Sequence, residues 1–417
     1  MFPGFYNAGI AIYQVLVRAA APFNKKARQW IDGRRNWSDN LSQKLANNKN
    51  PIVWFHAASL GEFEQGRPVI EAFRLNYPDH KILLTFFSPS GYEVRKNYDG
   101  ADWVMYLPAD TPHNARTFVA TVKPVLVFFI KYEFWFNYLR ELTVTNIPVI
   151  SFSAIFRPDQ LFFKPYGGFY RKLLTYFSHI LVQNQESVDL LKSIGVNSVT
   201  LAGDTRFDRV AQVASAKKDI PVARLFKEQK PVLVVGSAWP DDMDVLIPFI
   251  NQFSQPLKVI IAPHEIQDHD IEKWRRELIK SSIRFSQTQD SAFDLFTLAE
   301  FDVLFIDNVG MLSSLYQYGE FAYIGGAFKQ GLHNILEAAT FGMPLFFGPE
   351  YQKFQEAVDL VKEGAAFPIG NTSELNAAFD KEYQDRSVSS SVSRRYVQRN
   401  VGATAQVMEV VKQLIDK

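Results

Sequence analysis

The chain reads as an α/β protein built from two doubly wound halves, each a parallel sheet with helices on both faces. Three observations predict this. Short, near-continuous apolar runs alternate with helical segments, as expected of strands buried on both sides. The alternation lapses once, in a polar, Lys-containing stretch up to Gln229, and restarts at Pro231. A length of 417 residues with 47% hydrophobic content suffices for two domains of ordinary size. The boundaries read from this are 1–35, 36–210, a linker over 211–229, and 230–417, with a last helix from about Ser391 to Leu414 that could cross back onto the first half.

Composition removes several classes. Lys plus Arg number 45 against 44 for Asp plus Glu, so no global field draws the chain to nucleic acid. The absence of cysteine excludes disulfides and thiolate metal sites and fits a reducing compartment. The seven histidines lack HxxxH or HExxH spacing, so no metal site is expected.

Taken in order, residues 5–23 are apolar enough for a helix that meets a membrane. Asn7, Gln14, Arg18 and Lys25 are spaced by seven, four and seven, which puts them in one narrow stripe. That pattern predicts a helix lying in the interface plane, and Arg18 would be costly at mid-bilayer. Lys25, Lys26, Arg28, Arg34 and Arg35 add attraction to an anionic cytoplasmic leaflet. The alternatives are a single span and a helix packed on the protein's own core.

Pro51–Ala57 reads as a buried strand, followed by the turn Ala58-Ser59-Leu60-Gly61, then Glu62, then a helix from about Glu64 to Asn76. Glu62 therefore sits at a strand's carboxyl end, where doubly wound folds carry their chemistry, or serves only as a helix-start charge. Strands at 81–86, 103–106 and 125–130 alternate with helices at 89–98 and 112–122. Lys131 to Trp135 then open another helix; Glu133 could approach Glu62, each perturbing the other, or just balance Lys131. After a strand at 149–152, residues 161–177 interleave aromatics with Lys164, Arg171 and Lys172, which suits either an anionic lipid or a solvated amphipathic helix. Strands at 180–183 and 199–202 close the first half.

In the second half, the strand 232–235 ends in Gly236-Ser237, a turn whose N–H groups could hold an anion. Strand 258–262 leads to His264, and strand 303–306 to Asn308, Gly310 and Met311. Strand 321–324 leads into Gly325-Gly326, a second loop through Gly331, then His333-Asn334 and a helix over 335–340 with Glu337 in its first turn. Strand 345–347 follows. Free N–H groups at such a helix start favour a phosphate, and a carboxylate one turn in can accept from ribose hydroxyls. Two such halves imply a cleft between them, and the ordered glycines, His-Asn and Glu point to a nucleotide sugar.

The segment His56-Ala57-Ala58-Ser59-Leu60-Gly61-Glu62 resembles the His-Ala-x-Ser-x-Gly-Glu motif of the Kdo transferases, which add 3-deoxy-D-manno-octulosonic acid to the lipid A precursor of Gram-negative bacteria. The resemblance runs over nearly the whole length and is supported by Tyr132-Glu133-Phe134-Trp135, residues 202–208, Gly236-Ser237 and the Gly325–Glu337 block. It implies a GT-B glycosyltransferase, two Rossmann-like domains facing a cleft, with an N-terminal membrane-associating helix, at the cytoplasmic face of the inner membrane. It implies Glu62 as general base and Glu133 as a supporting carboxylate in an inverting transfer from CMP-Kdo, without cofactor or metal. It further implies a nucleotide-sugar site of Gly236, Ser237, His264, Asn308, Gly310, Met311, Gly326, His333, Asn334 and Glu337. Acceptor contacts would come from Ser59, Gly61, Arg157 and Lys164, and the expected partners are CMP-Kdo, the lipid A precursor and an anionic membrane surface. The chain departs from the family pattern at Ala327, Leu332 and Ala338, in lacking Arg between Pro263 and His264, at Met311, and in the place of Arg157. A GT-B enzyme using another nucleotide sugar, such as a UDP-sugar, and a non-catalytic glycolipid-binding protein are the competing readings.

Overall fold

The computed structural model describes residues 2–216 and 218–416. The chain forms two compact units, Met1–Arg209 with Val401–Lys417, and Val210–Asn400. The first holds a seven-stranded parallel sheet of β1 (Ile52–Ala57), β2 (Lys81–Phe86), β3 (Trp103–Tyr106), β4 (Leu126–Ile130), β5 (Val149–Ala154), β6 (His179–Val182) and β7 (Val199–Leu201). Their order is β3-β2-β1-β4-β5-β6-β7, so the winding reverses between β1 and β4. At such a reversal the loops leaving the two strands diverge and open a crevice at their carboxyl ends. Glu62 follows β1 and Glu133 follows β4, which brings both to that edge.

Strand periodicity divides the core. Trp54, Leu83, Val127 and Phe129 pack on one face of the sheet, and Val53, Phe55, Ile82, Leu84 and Phe128 on the other. Phe55 stacks on Phe128 across β1 and β4 with ring centroids 4.3 Å apart. The second face is covered in part by Val407, Val410 and Val411, one stripe of the helix Ala403–Ile415. Asp208 caps that helix, accepting from Gly402 N at 2.6 Å and from Thr404 N at 2.7 Å. The single helix expected from Ser391 to Leu414 is therefore two, Ser387–Asn400 in the second unit and Ala403–Ile415 in the first. The break falls at Gly402, whose φ of 124° suits glycine alone.

The N-terminal helix, Phe2–Ala20, differs from expectation in which way it faces. The hydroxyl of Tyr6 donates to Asp110 Oδ2 at 2.6 Å, and Asn137 Nδ2 donates to Asn7 Oδ1 at 2.9 Å. Asp110 is buried and also accepts from the backbone N–H groups of Asn137 and Tyr138, both at 3.1 Å. Asn7 and Gln14 thus lie on the half-buried side, whereas Arg18 and Lys25 are exposed. The stripe is split because Asn137 of the body donates to Asn7, while Gln14 bonds back to Ile10 O of its own helix at 3.5 Å. Phe5, Ile12, Val15 and Leu16 are left exposed, Leu16 at 62%. Among the described residues, no helix is long and apolar enough to cross a membrane.

The second unit repeats the design with β8 (Val232–Ala238), β9 (Lys258–Pro263), β10 (Ser282–Arg284), β11 (Val303–Phe305), β12 (Phe321–Ile324), β13 (Leu345–Phe347) and β14 (Ala366–Pro368). The order β10-β11-β9-β8-β12-β13-β14 reverses between β8 and β12. Within 211–229, read as a linker, the chain instead continues the helix Thr205–Ala216 and forms a second, Pro221–Lys227. Val222, Ala223 and Phe226 of the latter are buried, and Lys227 pairs with Glu320 at 2.5 Å. The polarity that suggested a linker belongs to the exposed faces of these helices.

Candidate active site

At the carboxyl edge of the first sheet, β1 ends at Ala57 and the next helix begins at Leu60, earlier than expected, so Glu62 lies in its first turn rather than in the loop before it. The carboxylate is half-buried. Ser59 Oγ donates a hydrogen bond to Glu62 Oε2, so this serine is turned toward the acid. A Cβ at Gly61 would meet only Ser59 Oγ, at 3.8 Å, which leaves the side of Glu62 unobstructed.

Glu133 is built differently. It is buried, and its Oε2 lies 3.0 Å from His56 Nε2 and 2.5 Å from Trp135 Nε1. The ring of His56 is wholly buried, with Nδ1 2.8 Å from Thr85 Oγ1. Trp54 Nε1, a donor only, reaches the same Thr85 Oγ1 at 2.7 Å. His56 Nδ1 also lies 3.1 Å from the Thr85 carbonyl oxygen, and Trp135 Nε1 lies 3.2 Å from His56 Nε2, so Thr85 brackets one ring nitrogen and Glu133 with Trp135 the other. Strands β1 and β2 thereby fix the orientation of the imidazole, which with Trp135 holds the acid. Glu62 and Glu133 share no hydrogen bond; Ser59 engages one, His56 and Trp135 the other. The segment Lys131–Trp135 is not the opening of a helix: Lys131 has φ 69° and the helix starts at Phe136.

Around this edge stand Tyr132, Arg157, Asp204 and Arg206. Burial raises the Tyr132 phenol above its ordinary range, and the charges of Arg157, Asp204, Glu62 and Arg206 reach it. Asp204 is buried and accepts from Gln65 Nε2 at 3.2 Å and Arg206 Nε at 2.8 Å. Arg157 is exposed and Lys164 half-buried, and among the described residues neither forms an ion pair. The stretch 161–177 is a 3-10 turn, Leu161–Phe163, and a short helix, Gly168–Leu174, joined by Lys164–Gly167.

At the second sheet, Asp242 ties two loops together. Wholly buried, it accepts from Trp239 N and Gly326 N at 2.9 Å each and from Tyr323 Oη at 3.0 Å. Burial pushes its carboxyl up from the ordinary range. The approach of these loops needs glycine: a Cβ at Gly325 would sit 2.2 Å from Ser237 O, and Gly326 has φ 95°. Trp239, His264 and His333 form a stack on the same edge, with ring centroids 4.4 Å apart for Trp239 and His264 and 4.5 Å for His264 and His333. Trp239 Nε1 donates to His333 Nε2 at 3.1 Å. His333 is therefore neutral and carries its proton on Nδ1, and burial, followed by the neighbouring His264, holds its pKa at about 4.

The predicted helix over 335–340 is a single turn, Leu336–Ala339, and its leading N–H, that of Leu336, is taken by Asn334 Oδ1 at 3.2 Å. Glu337 Oε2 accepts from Ser313 Oγ at 2.6 Å and Oε1 from Asn334 Nδ2 at 3.2 Å. Asn308 and Met311 lie against one another, Nδ2 to Sδ 2.8 Å, beside Gly310 with φ 90°. The sequence reading gave no role to Thr85, Trp135, Trp239, Asp242 or Ser313, and treated His56 only as part of a motif. A polar residue amid the apolar run of β1, and an Asp at the third position of the helix after Trp239, were the available signals.

Residues 35–209 match the family model of 3-deoxy-D-manno-octulosonic-acid transferase. That model describes the Kdo transferases, and the match lies within the first unit. It is similar to the 3-deoxy-D-manno-octulosonic acid transferase of Aquifex aeolicus, 29% identical across 80% of this chain and 86% of the relative. With that of Rickettsia prowazekii it shares 26% identity across 88% of this chain and 80% of the relative. Among solved structures it resembles the UDP-GlcNAc 2-epimerase of Neisseria meningitidis, with a TM-score of 0.61 at 15% identity over 87% of this chain and all of the other. That likeness is one of fold, the GT-B type of two doubly wound units. These matches indicate a glycosyltransferase.

Proposed function

We propose that this protein is a Kdo transferase of lipopolysaccharide biosynthesis, moving Kdo from CMP-Kdo to a sugar hydroxyl of a lipid A precursor, lipid IVA, with Glu62 as general base. The observation that carries the reading is the half-buried Glu62 at the reversal point of the first sheet, held through one oxygen by Ser59 and flanked by the open space at Gly61. Its other oxygen takes the proton of the acceptor hydroxyl as that oxygen bonds to the anomeric carbon of Kdo. The bond from that carbon to the phosphate oxygen breaks, and its electron pair leaves with CMP. One displacement inverts the centre. Glu133 supports this edge from within by holding His56 and Trp135.

The donor is assigned to the second unit, against Gly236, Ser237, His264, Asn308, Gly310, Met311, Gly326, His333, Asn334 and Glu337. The neutral His333 offers Nδ1–H as a donor. A ribose contact at Glu337 would share oxygens already engaged by Ser313 and Asn334. Ser59, Gly61, Arg157 and Lys164 are assigned to the acceptor, the two unpaired cations facing its anionic groups. The enzyme is read as peripheral on the cytoplasmic face of the inner membrane. Support comes from the outward Phe5, Ile12, Val15 and Leu16 beside exposed Arg18, Lys25 and Lys26.

The central test is Glu62→Gln, assayed with CMP-Kdo and lipid acceptor: transfer is lost while the melting temperature holds. An undiminished rate rejects Glu62 as base. Calorimetry with CMP, UDP and GDP checks the donor, a preference for UDP rejecting it. Deleting residues 1–28 should release the protein from anionic liposomes, and unaltered sedimentation with vesicles would reject the membrane assignment.

A further inference from the structure

Between the N-terminal helix and the helix Lys25–Asp32 runs a groove of about 470 Å³, open along one side. Its walls are mostly apolar: Leu16, Val17 and Ala20 from the first helix, Trp30 from the second, and Phe87 just beyond β2. We propose that this groove receives one acyl chain of the acceptor lipid, so that the lipid is recognised by its tail as well as its sugar. The inference rests on the lipid-acceptor reading above and adds to it a tail-binding site.

The walls are preformed. Arg34, buried beneath the groove, lies 4.0 Å from the Trp30 ring centroid and donates to three carbonyls: Trp30 O at 3.0 Å, Phe87 O at 2.7 Å and Leu107 O at 2.7 Å. The opposite wall is anchored by the Tyr6 and Asn7 hydrogen bonds to the body. A cavity held open by such contacts, rather than collapsed, is ready to exchange water for apolar groups. At roughly 30 Å³ for each water-sized group, the space takes a chain of about fifteen carbons.

Position and charge select a lipid over another apolar occupant. Phe87, which lines the groove, packs at a tilt against Trp135 with ring centroids 4.8 Å apart, and Trp135 donates to Glu133. The groove thus abuts the sheet edge that carries Glu62, all within one unit. Lys26 lines the groove and Lys25 is exposed beside it; among the described residues neither forms an ion pair. An apolar slot with unpaired cations at its rim complements a chain attached to an anionic head. Leu16, which lines the groove, is itself 62% exposed, so the slot opens to the surface where a tail could pass laterally out of a bilayer.

The test uses the full-length enzyme and two acceptors with the same sugar-phosphate head, one acylated and one de-acylated. Wild type should favour the acylated one. Ala20→Trp and Ala27→Trp fill the groove from opposite walls without touching the Tyr6 or Asp110 anchors. Either should lower kcat/KM for the acylated acceptor at least about tenfold, equivalent to roughly two methylenes left unburied, and leave the de-acylated rate unchanged. Equal rates of variants and wild type on both acceptors overturn the proposal. Wild type inactive on both would instead reject the lipid-acceptor reading itself. A second measurement needs no filled groove: acyl chains brominated along the tail should quench Trp30 fluorescence in wild type, the quenched component vanishing in Trp30→Phe. Quenching identical in the two overturns the assignment, as does a concentration-dependent dimer that the filling variants abolish without altering acyl preference.

Discussion

His333 gives the sharpest physical prediction. Its Nε2 accepts from Trp239 and its ring is covered by His264, so protonation must both break a hydrogen bond and charge a part-buried ring. With a pKa of about 4 against an ordinary 6.5, the group titrates well below physiological pH. The sign follows from linkage: a base depressed in the folded state contributes stability that is present above the unfolded pKa and is lost as pH falls toward the folded one. Between pH 6.5 and 4 that loss is about 3 kcal/mol for the second unit. Trp239→Phe keeps the ring and removes the N–H. Losing one hydrogen bond to the neutral form, about 1 kcal/mol, should raise the His333 pKa by roughly 0.7. The titratable neighbour acting on it, His264, is retained in this variant. Histidine-detected NMR against pH, with His333→Asn to assign the signal, reads both the pKa and the tautomer. A wild-type resonance titrating near 6.5, or with its proton on Nε2, would refute the reasoning.

The other predictions concern the same two edges. Glu133→Ala strips acceptors from His56 and Trp135 and should cost about 2–4 kcal/mol, visible as a lowered melting temperature, whereas Glu62→Ala at its half-buried site should cost under about 1. Gly236→Ala puts a Cβ 1.9 Å from Tyr316 Oη and should lose about 1–3 kcal/mol together with CMP affinity by calorimetry, while Gly61→Ala should fold as wild type. Any loss of transfer in Gly61→Ala at unchanged melting temperature then reports space needed by the acceptor. Burial holds the Asp110 carboxyl up at about 6 from 3.8, so its contribution is complete below pH 3.8 and is lost as pH rises through 6, about 3 kcal/mol in all. Asp110→Asn should flatten that part of the pH–stability curve in denaturant titrations.

Much of the architecture was legible because β1, β4, β5, β8 and β12 are buried on both faces, and such strands announce themselves as unbroken apolar runs. The glycines at 325 and 326 were equally readable, since the loops they serve need close backbone approach. The polar wiring was not. His56, Thr85 and Glu133 meet only because β1 lies between β2 and β4, and strand order is absent from a one-dimensional pattern. A helical wheel likewise identifies a stripe on the N-terminal helix without saying what it faces; Asp110 and Asn137, a hundred and more residues on, decide that. The helix expected over 335–340 differs from the observed 336–339 by one residue at each end, Ile335 and Thr340 being its caps.

The capped helix Ala403–Ile415 has a bearing on biogenesis. Val407, Val410 and Val411 seal a sheet whose strands leave the ribosome hundreds of residues before them. Until this helix arrives, that sheet keeps an oily flank in water, an invitation to chaperones and a hazard of clumping. A nonsense mutation just ahead of Gly402 would therefore strike the first unit rather than the second.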